Sequence, residues 1–457
     1  MMENVASVAQ RIGAVLHGAD ASFSRVTTDT RKLQPGDLFV ALQGENFDGH
    51  EFVAQAAGLG AVAALVSRKL DCDLPQLVVA DTLVALQDYA TAWRREFDLP
   101  VVAVTGSNGK TTTKQMLAAV FALRGPVLAT AGNLNNHIGV PLTLLSLRAA
   151  HRTAVIEMGA SHAGEIALLT RLARPDVGVI TQAGDAHLEG FGSREGVARA
   201  KGELFAGLGQ GIAVINADDA YAPLWRELAA TASIITFGVG AHADVGARNI
   251  EPLAAAGGTR FELCAVGGRQ TVVLPLPGRH NVSNALAAAA CAVALGIDLC
   301  DIAAGLAQVQ SAQGRVTWKT TPQGARLLDD SYNANPTSLR AGMELLAGLP
   351  GQRWLVLGDM AELGDDAVRL HAEAGATARR LGLDRLYAVG RLAAEAARAF
   401  GSGGMACADH AALAAALQPE LNKNVALLVK GSRSARMERV VAALTGEPSG
   451  GAASAQH

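Results

Sequence analysis

The sequence lacks a long hydrophobic run, a strong net charge and a pattern of paired cysteines, and each absence excludes a class of protein. Its longest apolar stretch, residues 285–297, is shorter than the roughly 20 residues that span a bilayer, so we expect a buried helix there and no membrane insertion. The 39 basic and 42 acidic residues leave a net charge of −3, which offers no general attraction for nucleic acid or an anionic membrane. The five cysteines include no C-x-x-C pair, which argues against a disulfide framework or a zinc site.

Internal repeats, a low-complexity core and a leader pattern are also missing. The opening stretch, MMENVASVAQRIGAVL, contains no basic region followed by an apolar core, and we therefore expect a cytoplasmic protein. The alanine-rich composition carries no signal for an oligomer, so a monomer is the expectation.

Short aliphatic runs alternate with Ala/Leu-rich helical patterns along almost the whole chain. Ten such runs begin near positions 38, 61, 77, 101, 153, 177, 211, 354, 385 and 425. This alternation predicts α/β layers with mostly parallel sheets. Residues 260–277 instead alternate between apolar and polar side chains, which predicts antiparallel strands added to the central sheet.

Two breaks in the pattern suggest domain boundaries, and 457 residues are enough for roughly three domains. The first is the polar stretch REFDLP at 95–100, and the second lies near SAQGR at 311–315. We expect domains at residues 1–98, 99–313 and 314–457.

The stretch TGSNGKTTT at residues 105–113, called the phosphate loop below, follows an apolar strand run and precedes a helical pattern. Gly106 and Gly109 permit close approach, so that successive backbone N–H groups can surround phosphate oxygens. Lys110 would neutralise the β- and γ-phosphates, and the Thr111 hydroxyl would be a ligand for Mg²⁺. The spacing G-x-x-G-K-T is two residues shorter than the standard nucleotide-binding loop, which weakens a generic assignment.

Polar residues follow the next predicted strands, where open α/β sheets bind their ligands. Glu157 ends one apolar strand and is placed like a second acidic ligand for a nucleotide's Mg²⁺, although a solvated glutamate would give the same pattern. His187 and Glu189 follow another strand, and a structural histidine is about as plausible as a ligand. Lys201 lies in a helical pattern, where a surface lysine is the ordinary interpretation.

These pieces, in this order, resemble the Mur ligases, the ATP-dependent amide-forming enzymes of peptidoglycan precursor synthesis. The resemblance covers nearly the whole chain and rests on TTDTRKLQPGDLFVALQGENFDGH (27–50), the phosphate loop, NLNNHIGVPLTLL (133–145), EMGASHAGEI (157–166), AHLEGFGS (186–193), AKGE (200–203), PGRHNVSNALAA (277–288), DDSYNANPTS (329–338), LGDMAELG (357–364) and LVKGSRSARME (428–438).

Within the family, NNHIGVP, DSYNANP and GDMAELG favour the member that adds D-alanyl-D-alanine to UDP-N-acetylmuramoyl-tripeptide. Three alternatives stay open: a sibling ligase with an amino-acid acceptor, a nucleotide-gated regulatory ATPase, and an inactive homologue that only binds. The resemblance implies a small N-terminal α/β domain that binds the UDP-sugar, a central P-loop ATPase-type domain with helices on both faces of a mostly parallel sheet, and a C-terminal Rossmann-like domain that closes over ATP and binds the dipeptide.

The resemblance also implies the sites, residue by residue. The substrate-binding residues would be Thr28, Asp29, Arg31, Phe47, Asp48, Gly49, His50, Asn135, Asn136, Ser161, Asn333 and Asn335. ATP would be held by Gly106, Ser107, Asn108, Gly109, Lys110, Thr111, Thr112, His280, Asn281, Arg315 and Asp330. Two Mg²⁺ ions would be held by Thr111, Glu157, His187 and a carbamylated Lys201. The catalytic residues would be Lys110, Glu157, His187, Lys201 and Arg315.

The run KGSRSARME is expected to form a strand-to-helix corner with a solvated basic face, from which one arginine could reach the dipeptide's carboxylate. In such a ligase the tripeptide's terminal carboxylate attacks the γ-phosphate, and the amine of the dipeptide then attacks the resulting acyl phosphate. No protein nucleophile is needed, because a free carboxylate ionises near pKa 4 and is already an anion at neutral pH.

Overall fold

The computed structural model describes residues 2–253 and 257–447 of the chain. Three large sheets follow one another in sequence, with two small two-stranded ribbons in the N-terminal part. The first sheet has five strands, parallel except for its first pair, in the order Val15–His17, Gln76–Val78, Ala63–Val66, Asp37–Val40 and Arg25–Thr27. The ribbons pair Glu3–Asn4 with Ser22–Phe23 and Gln43–Gly44 with Phe47–Asp48. The helices of this part are Val5–Ile12, Val53–Gly58 and Thr82–Arg94.

The second sheet has nine strands and carries the phosphate loop. Its order is Val127–Ala129, Thr153–Glu157, Val101–Thr105, Val177–Ile180, Ile212–Asn216, Ser233–Gly238, Val245–Leu253, Gly258–Ala265 and Gly268–Leu274. The last two pairings are antiparallel and the others parallel. The strands expected within 260–277 are therefore confirmed as an antiparallel addition to this sheet.

Helices cover both faces of the parallel strands. Every residue of Val101–Thr105 is buried: Val101 and Ala103 pack into one hydrophobic cluster, Val102 and Val104 into another. This alternation follows from the two-residue period of a strand, and burial on both faces explains the continuous apolar run. The helices of this part are Lys110–Ala122, Gly139–Leu144, Glu165–Ala173, Leu188–Phe191, Arg194–Ala206, Ala222–Leu228, Arg279–Ala294 and Leu299–Leu306.

The apolar stretch 285–297 forms most of the helix Arg279–Ala294, which is buried from Ala285 to Ala292. The expectation of a buried helix there is confirmed. Among residues 2–253 and 257–447, no helix is long and apolar enough to cross a membrane.

The third sheet has six strands, ordered Thr317–Thr320, Arg326–Asp330, Val425–Lys430, Gln352–Gly358, Arg385–Val389 and Gly404–Cys407. Only its first pair is antiparallel. The helices around it are Pro336–Ala347, Ala367–Arg380, Ala393–Phe400, His410–Leu417 and Glu438–Thr445. The predicted α/β class with three mostly parallel sheets is confirmed.

We propose domain boundaries at 98/99 and 313/314, because each falls between the last helix of one sheet's segment and the first strand of the next. The three parts are called the N-terminal, central and C-terminal domains below. The final ten residues of the expected C-terminal domain, 448–457, lie outside the described residues.

Candidate active site

The phosphate loop joins the strand Val101–Thr105 to the helix Lys110–Ala122 at the carboxyl end of the central sheet. Gly106 and Gly109 both have positive φ angles, 146° and 83°. A Cβ on Gly106 would lie 1.9 Å from the Thr181 hydroxyl oxygen, and one on Gly109 would lie 2.2 Å from Asn284 Oδ1. Both positions therefore require glycine, for backbone angle and for space.

The Lys110 side chain folds back onto the phosphate loop. Its Nζ donates a hydrogen bond to the Gly106 carbonyl oxygen at 2.6 Å. Burial lowers the pKa of Lys110, an effect that the Glu157 carboxylate opposes and the Arg315 guanidinium reinforces. A lysine held at the start of a helix, among loop N–H groups, can bind the phosphates of a nucleotide.

Glu157 is the buried carboxylate of the site, and its side chain is only 3% exposed. Its Oε1 accepts hydrogen bonds from Asn135 Nδ2 at 2.9 Å and from the Thr111 hydroxyl at 3.3 Å. Its Oε2 lies 3.4 Å from Lys114 Nζ and accepts no hydrogen bond among the described residues. A buried carboxylate with spare acceptor capacity beside a threonine hydroxyl fits a Mg²⁺ ion, which usually takes few protein ligands and completes its shell with water and phosphate.

Lys201 is buried in the helix Arg194–Ala206, with 1% of the residue exposed. Burial, and to a lesser degree the charge of Lys110, lowers the pKa of Lys201 to about 7. Its Nζ lies 5.6 Å from the ring centre of Phe191, and no ion pair or hydrogen bond holds it among the described residues. The ordinary interpretation of this lysine as a surface residue is wrong.

His187 and Lys201 both lie beside Phe191, and the ring centre of His187 is 6.5 Å from that of Phe191. Its backbone has a φ of 55°, an uncommon angle for a residue with a side chain. Its Nδ1 contacts the Glu362 carboxylate of the C-terminal domain, and this contact lowers the pKa of Glu362. His187 is therefore already engaged by a carboxylate in this arrangement of the domains.

A cavity of about 240 Å³ lies between the phosphate loop and the C-terminal domain. The central domain contributes residues 107–112, His280 and Asn281, and the C-terminal domain contributes Arg315, Asp330 and Lys430. Lys430 pairs with Asp330 and donates to the Asn333 carbonyl oxygen at 2.9 Å. Burial lowers the pKa of His280, so this ring is a neutral imidazole at pH 7 and can exchange hydrogen bonds with a nucleobase edge.

Side chains of the two domains meet at the mouth of this cavity. Asn108 of the phosphate loop and Asn335 exchange two amide hydrogen bonds, at 2.8 and 3.3 Å. Asn335 also caps the helix Pro336–Ala347, where its Oδ1 accepts from the Ser338 N–H at 2.9 Å. The Thr337 hydroxyl lies 3.4 Å from Asp185 Oδ2. The C-terminal domain thus closes on the phosphate loop itself.

Family models and solved relatives agree on the nature of this arrangement. Three family models match consecutive segments: "Mur ligase family, catalytic domain" over 22–105, "Mur ligase middle domain" over 104–292 and "Mur ligase, glutamate ligase domain" over 314–433. The UDP-N-acetylmuramoyl-tripeptide–D-alanyl-D-alanine ligase of Escherichia coli K12 is 48% identical over 433 residues, which cover 94% of this chain and 95% of that protein. The chain belongs to the Mur ligase family.

Solved Mur ligases share the whole architecture. A crystal structure of MurF from Acinetobacter baumannii superposes with a TM-score of 0.91 at 39% identity, covering 97% of this chain and 99% of the other. A MurF ligase from Thermotoga maritima, solved in complex with ADP, gives a TM-score of 0.81 at 31% identity over 93% and 97% of the two chains. The resemblance noted from the sequence motifs is confirmed, as is the three-domain fold that it implies.

The predicted site residues of this Mur ligase fall into two groups. The nucleotide set lies around one cavity, at the phosphate loop, His280, Asn281, Arg315 and Asp330. The N-terminal set lies in a different domain, at two turns that end in short 3₁₀ helices, Thr30–Lys32 and Gly49–Phe52. Thr28 lies next to Asp29, whose carboxylate binds Arg31 at 2.8 Å.

The second N-terminal turn is held together by its own side chains. His50 is buried; its Nδ1 lies 2.5 Å from Asp48 Oδ1, and its Nε2 accepts from the Ser67 N–H at 2.8 Å. Gly49 is required because a Cβ would lie 2.7 Å from the Leu42 carbonyl oxygen. Phe47 is half exposed and stacks on Phe52, with the ring centres 5.3 Å apart. The exposed half of the Phe47 ring is therefore an apolar surface of this turn that a ligand can contact.

Of the remaining predicted substrate residues, Asn333 lines the cavity, and several make local contacts. Asn136 Oδ1 accepts from the Gly139 N–H at 2.8 Å, and the Ser161 N–H donates to Glu165 at 2.7 Å. Asn333 Oδ1 accepts from the Ala334 N–H at 2.9 Å. Their roles toward substrate stay predictions.

Sequence reasoning missed two charged residues of the site. Lys430 was assigned to a solvated basic face, but it is 2% exposed and lines the cavity, so that part of the interpretation is wrong. Lys114, the residue directly after the phosphate loop, is buried beside Glu157. The signal for Lys430 was its position at the end of an apolar strand, Val425–Lys430, the same signal that identified Glu157.

Proposed function

We propose that this chain joins D-alanyl-D-alanine to UDP-N-acetylmuramoyl-tripeptide in an ATP-dependent reaction that proceeds through an acyl phosphate. The observation that carries the proposal is the cavity between the phosphate loop and the C-terminal domain, in a chain 48% identical to a ligase of that name. The products are the pentapeptide, ADP and phosphate.

The first step requires a carboxylate to approach a triphosphate, and the two repel each other. Lys110 at the phosphate loop and Arg315 across the cavity place two cations where negative charge gathers on the transferred phosphoryl group. Such fixed charges lower the barrier most in a site that excludes water. Closure of the C-terminal domain, through the Asn108–Asn335 contact, provides that exclusion.

The second step is attack of the dipeptide's amine on the acyl carbon, with phosphate as the leaving group. No protein nucleophile is needed, because the acyl phosphate is already an activated acyl donor. The side chains need only hold both acceptors in line and keep water from hydrolysing the acyl phosphate.

We propose that Thr111 and Glu157 hold one Mg²⁺ ion and that His187 and a carbamylated Lys201 hold a second. When bound, the ions would neutralise phosphate charge and act as Lewis acids on phosphoryl oxygens. The lowered pKa of Lys201, about 7, supports the modification, because only the neutral amine can add to CO₂ with loss of a proton. To bind the ion, His187 would give up its contact with the Glu362 carboxylate.

We further propose that Thr28, Asp29, Arg31 and the turn from Phe47 to His50 bind the UDP end of the sugar nucleotide, with Arg31 on the diphosphate. Arg31 has its side chain 66% exposed and is available to an anionic ligand in exchange for Asp29. Asn135, Asn136, Ser161 and Asn333 are the candidates for the peptide substrates.

We propose a monomer that acts in the cytoplasm; its five cysteines are free thiols, as in a reducing compartment.

The decisive experiment measures phosphate release from the purified chain with ATP, Mg²⁺ and UDP-N-acetylmuramoyl-tripeptide, with D-alanyl-D-alanine added last. We expect full turnover only after the dipeptide is added, together with a product of pentapeptide mass. Turnover that ignores the dipeptide would contradict the acceptor assignment and favour a sibling ligase or a regulatory ATPase.

The carbamate has its own test. Lys201→Ala should lose activity at fixed Mg²⁺, and bicarbonate with a short-chain carboxylic acid should restore part of it by supplying the missing carboxylate. Complete failure of this rescue, with the variant still folded by circular dichroism, would argue against a carbamate at Lys201.

A further inference from the structure

We propose that Arg433 binds the C-terminal carboxylate of the acceptor dipeptide. The inference rests on the proposed function and names the part of the site that recognises the second substrate. Its starting point is Tyr332, which has two arginines over its ring.

Tyr332 ties Arg433 to the reaction centre. The guanidinium carbon of Arg315 lies 4.3 Å from the centre of the Tyr332 ring, and that of Arg433 lies 5.6 Å from it. Both distances are within the range of a cation–π contact. The two guanidinium groups can be no farther apart than these distances added together, and Arg315 lines the nucleotide cavity.

A dipeptide fits within this limit. An extended chain spans at most about 3.5 Å per residue, so the amine and carboxylate of a dipeptide lie up to about 7 Å apart. With its amine beside the phosphoryl group that Arg315 faces, a dipeptide can direct its carboxylate toward Arg433.

Hydrogen bonds of the preceding residue hold the backbone at Arg433 in place. The preceding residue, Ser432, is buried, and its N–H and hydroxyl donate to the Asp359 carbonyl oxygen at 2.9 and 2.7 Å. Arg433 begins the 3₁₀ turn Arg433–Ala435 just after the strand Val425–Lys430. This is the carboxyl edge of a parallel sheet, where α/β folds bind their ligands.

The guanidinium of Arg433 already meets a carboxylate, but weakly. Its Nη1 lies 3.4 Å from Glu438 Oε1, well beyond the roughly 2.7–2.9 Å of a good charge-assisted hydrogen bond. The side chain of Arg433 is 51% exposed. The Arg433 guanidinium is therefore available to a better-placed carboxylate. A substrate carboxylate would replace Glu438 as its partner.

The test compares two acceptors, D-alanyl-D-alanine and its C-terminal amide, in wild type and in Arg433→Ala. Wild type should use the amide with a KM about ten- to a hundredfold higher, since it loses a hydrogen-bonded charge pair. Arg433→Ala should raise the KM for the dipeptide by a similar factor and treat the two acceptors alike. The KM for ATP and the kcat should change little, and Arg433→Lys should recover part of the selectivity.

Arg436→Ala is the matched control, because Arg436 is an exposed arginine of the same segment that lies outside the Tyr332 cluster. It should keep the preference for the free carboxylate. The proposal is overturned if Arg433→Ala still discriminates between acid and amide, or if Arg436→Ala loses that discrimination instead. A wild-type chain that ligates neither acceptor would contradict the proposed function itself, which separates the two failures.

Discussion

Replacing Gly109 by alanine should damage the phosphate loop in two ways that can be measured separately. Gly109 is the residue before the helix Lys110–Ala122, with φ 83° and ψ −11°. An alanine there is held in the left-handed region, which costs about 1–2 kcal/mol. Its Cβ would also lie 2.2 Å from Asn284 Oδ1, so the Asn284 side chain must move.

The second cost follows from what Asn284 loses. Asn284 is 8% exposed, and its Nδ2 donates to Asn281 Oδ1 at 3.2 Å. Leaving a buried amide without its partner costs about 1–3 kcal/mol. Gly109→Ala should therefore lower the free energy of unfolding of the central domain by about 2–5 kcal/mol, or roughly 5–15 °C in Tm for a domain of this size.

Gly164→Ala is the control that separates strain from collision. Gly164 also precedes a helix, Glu165–Ala173, with nearly the same backbone angles, φ 86° and ψ −19°, but a Cβ there would have no neighbour within 4 Å. Urea titration followed by circular dichroism should give the Gly109 variant the larger loss, and titration with ADP should show weaker binding for Gly109→Ala alone. Adding Asn284→Ala should relieve part of the steric cost. Equal losses of stability for the two glycine variants would refute the reasoning.

Three further predictions concern other parts of the chain. The His50 contacts and Arg68 hold the pKa of Asp48 near 2; the stability that Asp48 contributes is therefore present above pH 4 and lost as the pH falls toward 2. Asp48→Asn should lower stability at pH 7 by up to about 1 kcal/mol after solvent screening, and thermal melts should show this difference shrinking at pH 2–3. Glu362→Ala should weaken closure of the C-terminal domain by removing the contact between the Glu362 carboxylate and His187, and small-angle scattering should then give a larger radius of gyration, whereas an unchanged radius would count against that role. A maleimide should label exposed Cys300 and spare Cys291, which is buried and whose pKa burial raises; mass spectrometry of the native protein would expose the error if Cys291 reacted first.

The sequence sufficed for many strands of the large sheets because short aliphatic runs bounded by turn residues indicate buried parallel strands. It placed the strand ahead of the phosphate loop and the buried helix Arg279–Ala294 correctly. It did not reveal short strands such as Val15–His17, whose three residues are too few for a period to emerge. The order of strands within each sheet is set by tertiary packing, which no local pattern records.

The sequence identified several charged residues of the site, but it did not reveal their burial or the side chains that they contact. The pattern located Glu157 at a strand end, but it gave no hint that Lys114 would be buried beside it. Lys201 lies in a helical pattern that is typical of a solvent-exposed lysine, and Lys430 was assigned to a solvated basic face, yet both are buried. His50 belongs to the turn that is predicted to bind the UDP end, and the sequence did not show that its ring nitrogens contact Asp48 and Ser67.

The paired amides of Asn108 and Asn335 have a consequence for the catalytic cycle. A contact between neutral groups gains nothing from low ionic strength and loses nothing to salt, so this part of the contact between the two domains is independent of ionic strength. Because one partner is part of the loop that would hold ATP and the other begins a helix of the closing domain, departure of spent nucleotide and parting of the domains are coupled movements.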